Sequence, residues 1–204
     1  PSSVFPMLIF DQPIDPDTLT DSFVFLKESG STSHVPVSLE VDKSLQRIRL
    51  EPESAISLST VHLITANNGL KSWADTTTTT PETAQFETTA TADTTDPTLI
   101  STVPTSGSSG ISKCTVVDMY FSEPIRRSTF HGSNIYLYTN ASPNWFDFDV
   151  RWYGDGDHVR IIPKHSLNTY SFIGMYSYYS DPPEDRVGNQ WWGTNQWRIN
   201  PTFN

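Results

Sequence analysis

Apolar and polar residues alternate in short runs along most of the chain, and turn-forming residues separate these runs. Every second residue from 35 to 41 is apolar, which predicts a strand with one face in a core. No window repeats apolar residues at i, i+3, i+4 and i+7, and the Asp-Pro-Asp at 15–17 has the cap and proline of a single helical turn. The pattern therefore predicts an all-β fold typical of a β-sandwich.

The same order of segments occurs twice. Phe10-Asp-Gln-Pro-Ile14 has its match 111 positions later in Phe121-Ser-Glu-Pro-Ile125, and Ile48-Arg-Leu-Glu-Pro52 has its match in Val159-Arg-Ile-Ile-Pro163. Further matched segments keep this order: 23–26 with 135–138, 60–63 with 169–172, and 85–86 with 196–197. The repeat predicts two tandem β-sandwich domains, residues 1–92 and 93–204, joined by a linker rich in Thr and Ala.

The first domain has one strand fewer than the second. An apolar segment at 99–103 precedes the strand that leads to Phe121, whereas only residues 1–6 precede the equivalent strand at Met7. A sandwich without its opening edge strand exposes unpaired backbone groups. Two explanations remain open: the sequence is a section of a longer repeat array, or another chain supplies the strand by β-addition, which predicts end-to-end assembly.

Composition narrows the classes of partner. The net charge of -10 argues against nucleic acid and anionic membranes, and no apolar run of about 18 residues predicts a membrane span. The first residues lack the charged and apolar regions of a signal peptide. Cys114 is the only cysteine, so no internal disulfide is expected, and its match with Ser3 predicts a buried, inert thiol at the start of a strand.

Catalytic motifs are absent from the sequence. It contains no nucleophile elbow, phosphate-binding loop or zinc-protease motif, and the five histidines lack ligand spacing. Asp155 and Asp157 are two residues apart, but they lie in a Gly-rich hairpin turn, where Asp is preferred for the turn itself. We expect no enzyme.

The order of the motifs resembles the bacterial Ig-like domains of S-layer proteins and large surface adhesins. The residues that carry this resemblance are Asp93-Thr-Thr-Asp-Pro97, Phe121-Ser-Glu-Pro-Ile125 and Asp185-Arg-Val-Gly-Asn189. The first domain departs from the pattern because it has no opening strand and no Gly-Asn turn. The resemblance implies two tandem Ig-like β-sandwich domains, the first without its opening edge strand, with a structural or adhesive role outside the cell and no catalytic residues.

Calcium is the metal that the acidic loops favour. Calcium takes six to eight oxygen ligands, and no single loop supplies them or has the EF-hand spacing. The preferred pair is Asp93 and Asp96 in the linker. Capping, turn formation and solvation are the alternative roles of these carboxylates.

Aromatic side chains are the best candidates for contact with a partner. All eight tyrosines and five of the six tryptophans lie in the second domain, more than the core of a sandwich of about 110 residues holds. Exposed rings stack on sugars or bury against protein, and their enrichment in interfaces favours protein. The predicted contact residues are Trp145, Trp152, Tyr176, Tyr178, Tyr179, Trp191 and Trp192.

Asn140 begins an Asn-Ala-Ser sequon, which would carry a glycan only in a eukaryotic source. The sequence as a whole predicts a non-catalytic extracellular structural or adhesive element that contacts neighbouring Ig-like repeats or further copies of itself. The alternatives are a carbohydrate-binding module and an accessory region of a secreted polysaccharide-active enzyme.

Overall fold

The computed structural model describes residues 5–139, 145–167, 173–177, 181–193 and 197–201. The regular structure in these ranges is all β, apart from two short 3-10 helices at Pro16–Thr18 and Arg127–Thr129, which confirms the predicted fold class. Contacts divide the chain into two compact units, Pro1–Asp93 and Thr94–Asn204. No helix in the described ranges is long and apolar enough to cross a membrane.

The first unit consists of two antiparallel sheets around its own apolar core. One sheet has the order β1-β5-β4 and the other β3-β2-β6-β7. Leu26, Ile48 and Leu50 are fully buried in the core. The strands are β1 (Met7–Ile9), β2 (Val24–Glu28), β3 (His34–Val35), β4 (Val37–Val41), β5 (Arg47–Pro52), β6 (Val61–Ala66) and β7 (Glu82–Glu87).

The second unit repeats this plan with two additional strands. Its sheets have the orders β13-β14-β10-β8 and β12-β11-β15-β16-β9, and its core includes the fully buried Met119, Ile125 and Ile161. The strands are β8 (Leu99–Val103), β9 (Ser109–Ile111), β10 (Val117–Phe121), β11 (Ile135–Thr139), β12 (Trp145–Phe146), β13 (Phe148–Tyr153), β14 (His158–Pro163), β15 (Ile173–Ser177) and β16 (Trp197–Pro201).

Two turns of the first unit form where the sequence predicts them. Asp15 caps the first 3-10 helix, because its carboxylate accepts a hydrogen bond from the Asp17 backbone N–H, and Pro16 supplies a suitable φ. Gly69 has a φ of 104°, and a side chain there would lie 2.5 Å from the Phe23 ring, so that turn requires glycine.

Cys114 corrects one sequence-based expectation. The thiol is exposed rather than buried, because Cys114 lies in a turn after β9 and not in the strand that its match with Ser3 predicted. Its backbone N–H donates to the Ser112 hydroxyl within that turn.

Candidate interaction surfaces

The first candidate surface is the open edge of β1. Among the described residues β1 pairs with β5 alone, whereas the equivalent strand β10 pairs with β14 on one side and β8 on the other. The Phe10 N–H donates to Gln46, and Pro6 accepts from the Leu50 N–H. Because antiparallel pairing alternates direction, the N–H and C=O groups of Met7 and Ile9 point to the open side.

The side chains of β1 are less buried than those of the equivalent strand β10. Leu8 is only half-buried, whereas Met119, its equivalent in the second unit, is fully buried beside Thr102 of β8. Met7 and Ile9 are exposed apolar residues on the other face of the strand. A strand added to this edge would therefore pair backbone groups and cover apolar surface at the same time.

The second candidate surface is the outer face of the β13-β14-β10-β8 sheet. Tyr120, His158 and Tyr153 lie in one row across β10, β14 and β13. The His158 ring is stacked between the two tyrosines, with centroid distances of 4.3 Å to Tyr120 and 4.7 Å to Tyr153. The His158 ring therefore uses both of its faces in the stack, and each tyrosine uses one.

A buried carboxylate organises the next row of this face. Asp118 accepts from Arg160 Nε and Nη2 at 2.8 and 3.0 Å, and its Oδ1 lies 2.7 Å from His158 Nε2. The Arg160 guanidinium also lies over the Tyr153 ring, 5.2 Å from its centroid. Burial acts to raise the pKa of Asp118, but the hydrogen bonds and charges of Arg160 and His158 outweigh burial, so its pKa lies below the ordinary value of 3.8.

Asp118→Asn should destabilise the second unit by about 1–3 kcal/mol at neutral pH, because Arg160 and His158 lose an anionic acceptor. A carboxyl group whose pKa is lowered by folding contributes fully above its unfolded pKa and loses this contribution as pH falls through the folded value. The difference between wild type and variant should thus be constant near neutral pH and shrink below pH 3.8. Urea unfolding followed by tryptophan fluorescence, at a series of pH values, measures it.

The matched control for that experiment is Asp149→Asn. Asp149 is exposed and lies 3.4 Å from Lys164, so this ion pair should contribute little. A stability difference for Asp118→Asn that stays constant down to the lowest pH would show that the Asp118 charge is not what stabilises the network.

The predicted aromatic contact residues differ in how far they are buried. Trp191 is only 4 % exposed and packs edge-on against Phe121, and Trp152 is half-buried against Phe130, so both belong to the core rather than to a contact surface. Trp192 is 43 % exposed and stays a candidate. Trp145 and Tyr176 lie on β12 and β15, and their side chains are outside the described part, as are residues Tyr178, Tyr179 and Asn140.

The two residues of the predicted calcium pair, Asp93 and Asp96, differ in their surroundings. Asp93 is half-buried, and its carboxylate lies within 4.8 Å of those of Glu123 and Asp185, whereas Asp96 is exposed and outside this group. Asp185 already accepts hydrogen bonds at both carboxylate oxygens. Calcium binding at Asp93 and Asp96 stays a prediction.

The Asp185–Asn189 segment forms a tight turn around one carboxylate. Asp185 Oδ1 accepts from the backbone N–H groups of Val187, Gly188 and Asn189 at 2.7–2.9 Å, and Oδ2 accepts from the Asn189 amide at 2.8 Å. Gly188 has a φ of 101°, which few other residues adopt. The acidic residue of this motif therefore serves the fold.

Sequence reasoning missed Asp118, Tyr120, His158 and Arg160 as members of one surface. The available signal was spacing: polar or aromatic residues two apart in strands whose other positions are apolar, which places them together on the outer face. Their meeting depends on the register between β10 and β14, which that spacing does not give.

Two β-sheets around one apolar core in each unit define an immunoglobulin-like class of protein. Residues 93–172, most of the second unit, match the bacterial Ig-like domain family, which confirms the resemblance for this part of the chain. The family is a non-enzymatic one, in line with the absence of catalytic motifs from the sequence.

The solved structures that match the chain include two of the S-layer protein SbsC. Domains 1–6 of SbsC are 12% identical over 98% of this chain and 24% of that chain, with a TM-score of 0.45. A second SbsC structure is 13% identical over 86% of this chain and 22% of that chain, with a TM-score of 0.40. The chain thus spans under a quarter of these S-layer structures.

A segment of α2-macroglobulin from Escherichia coli is 12% identical over 90% of this chain and 66% of that chain, with a TM-score of 0.39. No curated protein matches the sequence at a significant level.

Proposed function

We propose that the protein is a structural element of an extracellular surface protein and that copies of it associate through the open edge of β1. The observation that carries the proposal is the difference between β1 and β10, two equivalent strands of which only β10 has a second neighbour among the described residues. The partner strand is β1 of a second copy, in antiparallel pairing.

The β4 and β7 edges of the first unit are less suited to pairing, and the remaining edge strand, β3, has only two residues. Charged side chains at a sheet edge discourage the addition of strands. Glu82 and Glu87 stand at the two ends of β7, and Glu40 lies on β4. The residues of β1 are Met7, Leu8 and Ile9, which are all apolar. This edge therefore carries no charge that would oppose association.

Symmetry favours a second copy as the partner. A strand that pairs antiparallel with its own copy forms a closed two-fold contact in which each edge satisfies the other. The Met-Leu-Ile sequence is self-complementary in such a pair because all its side chains are apolar. The contact joins first unit to first unit, and it is short, so we expect reversible association at high protein concentration.

Ile9→Lys should abolish this association, because a lysine on an edge strand opposes pairing. Sedimentation velocity over a range of concentrations measures the loss. Hydrogen exchange should show concentration-dependent protection of the Met7 and Ile9 amides in the wild type alone.

Trp73→Lys is the matched control. Trp73 is 69 % exposed and Ile9 is 68 % exposed, both lie in the first unit, and both substitutions add one positive charge. Association that is lost equally in both variants would indicate general apolar stickiness instead of edge pairing. A wild-type chain that stays monomeric at high concentration would also overturn the proposal.

A further inference from the structure

Two arginines lie directly opposite each other on the outer face of the second unit. Arg151 of β13 is paired in register with Arg160 of β14. Arg160 is held by Asp118, whereas Arg151 is exposed and has no partner among the described residues. Like charges at directly opposite positions are unfavourable in an isolated sheet.

The equivalent pair in the first unit has opposite charges. Arg49 is 111 positions before Arg160, and its partner across the sheet is Glu40. Asp118, the carboxylate of the second unit, has Met7 as its equivalent. In the first unit the charge of Arg49 is thus balanced by Glu40. In the second unit Asp118 balances Arg160, and the outward-facing charge of Arg151 stays unbalanced.

The aromatic row beside the two arginines favours one class of anionic partner over another. Tyr120, His158 and Tyr153 are stacked on one another, and Arg160 covers part of Tyr153. A sugar ring stacks on an open aromatic face, and each ring of this row already uses at least one face on a neighbouring ring. Ring edges, a tyrosine hydroxyl and the exposed Val103 are groups that fit a protein surface better.

An acidic protein surface is present in every copy of the chain. Residues 1–93 carry 13 acidic and five basic side chains, a net charge of -8, and residues 94–204 carry ten acidic and eight basic ones, a net charge of -2. We propose that the Arg151–Arg160 face of one copy binds the acidic first unit of a second copy. This inference rests on the proposed association of copies but uses a different surface from β1.

The test is sedimentation velocity at low and high salt in an Ile9→Lys background, so that pairing through β1 plays no part. We expect association that weakens with salt, because charge complementarity drives it. Arg151→Glu should weaken it by about tenfold, since it places a negative charge opposite the acidic unit. Arg151 is exposed, so the fold should be retained, which thermal unfolding checks.

Lys43→Glu is the matched control because it makes the same change in net charge in the first unit. Lys43 is exposed, and it has no partner among the described residues. The proposal predicts that Lys43→Glu leaves association unchanged or strengthens it, since the acidic surface becomes more acidic. Equal weakening by both variants would show only general repulsion and overturn the proposal.

Two further outcomes would overturn the proposed binding between copies. Absence of association at low salt in the Ile9→Lys background overturns the proposal and leaves the β1 edge, tested in the wild type, unaffected. Absence of association together with Arg151-dependent binding of polygalacturonate would assign the face to an acidic polysaccharide instead.

Discussion

Asp185→Ala should lower the free energy of unfolding of the second unit by about 3–5 kcal/mol, because it removes the acceptor of three backbone N–H groups. Asp185 is only 2 % exposed, so the donors of Val187, Gly188 and Asn189 have little access to water in its place. The Asn189 side-chain amide loses its acceptor as well. A loss of this size is a large part of the stability of an ordinary domain.

The measurement is urea unfolding followed by tryptophan fluorescence, which reports mainly the second unit because five of the six tryptophans lie there. Asp181→Ala is the control, since Asp181 is an exposed carboxylate of the same loop and should change stability little. Asp185→Asn keeps one acceptor oxygen and should lie between wild type and Asp185→Ala. Equal stability of the two alanine variants would contradict a structural role for Asp185.

Met119→Ala should cost the second unit about 2–5 kcal/mol, whereas Leu8→Ala should cost the first unit only about 1 kcal/mol. The two residues are equivalent in the repeat, but Met119 is fully buried and Leu8 is half-buried. The difference arises because β8 lies beside β10 and no described strand lies beside β1 on that side.

Amide signals of each unit, followed by NMR during unfolding, separate the two costs. At high protein concentration the cost of Leu8→Ala should rise, because association through β1 buries Leu8 further. A cost that is equal for both substitutions at low concentration would mean that Leu8 is already covered in solution.

Alternation along the chain predicts most of the strands, because side chains of a strand point to opposite faces and the core selects one of them. The split between β3 and β4 falls at Pro36, which cannot donate a backbone hydrogen bond. The repeat spacing predicts both units and β8, a strand without an equivalent in the described part of the first unit, but it does not predict β9.

The alternation of apolar and polar residues does not predict which aromatic side chain is buried, so the contact residues could not be identified from the sequence. Trp191 and Trp192 are adjacent and lie outside the strands, and packing against Phe121 and Phe130 makes Trp191 the inner one. The Asp118–Arg160 network likewise depends on residues 42 positions apart and on strand register.

The parallel contact between β9 and β16 has a mechanical consequence. Asn200 lies opposite Ser109 and Pro201 opposite Ile111. When parallel neighbours are pulled at opposite ends they are loaded in shear, so their hydrogen bonds must break together, whereas strands that peel apart lose one bond at a time. The described part of the first unit has no such strand beside β7. Under tension the first unit should therefore open at a lower force than the second.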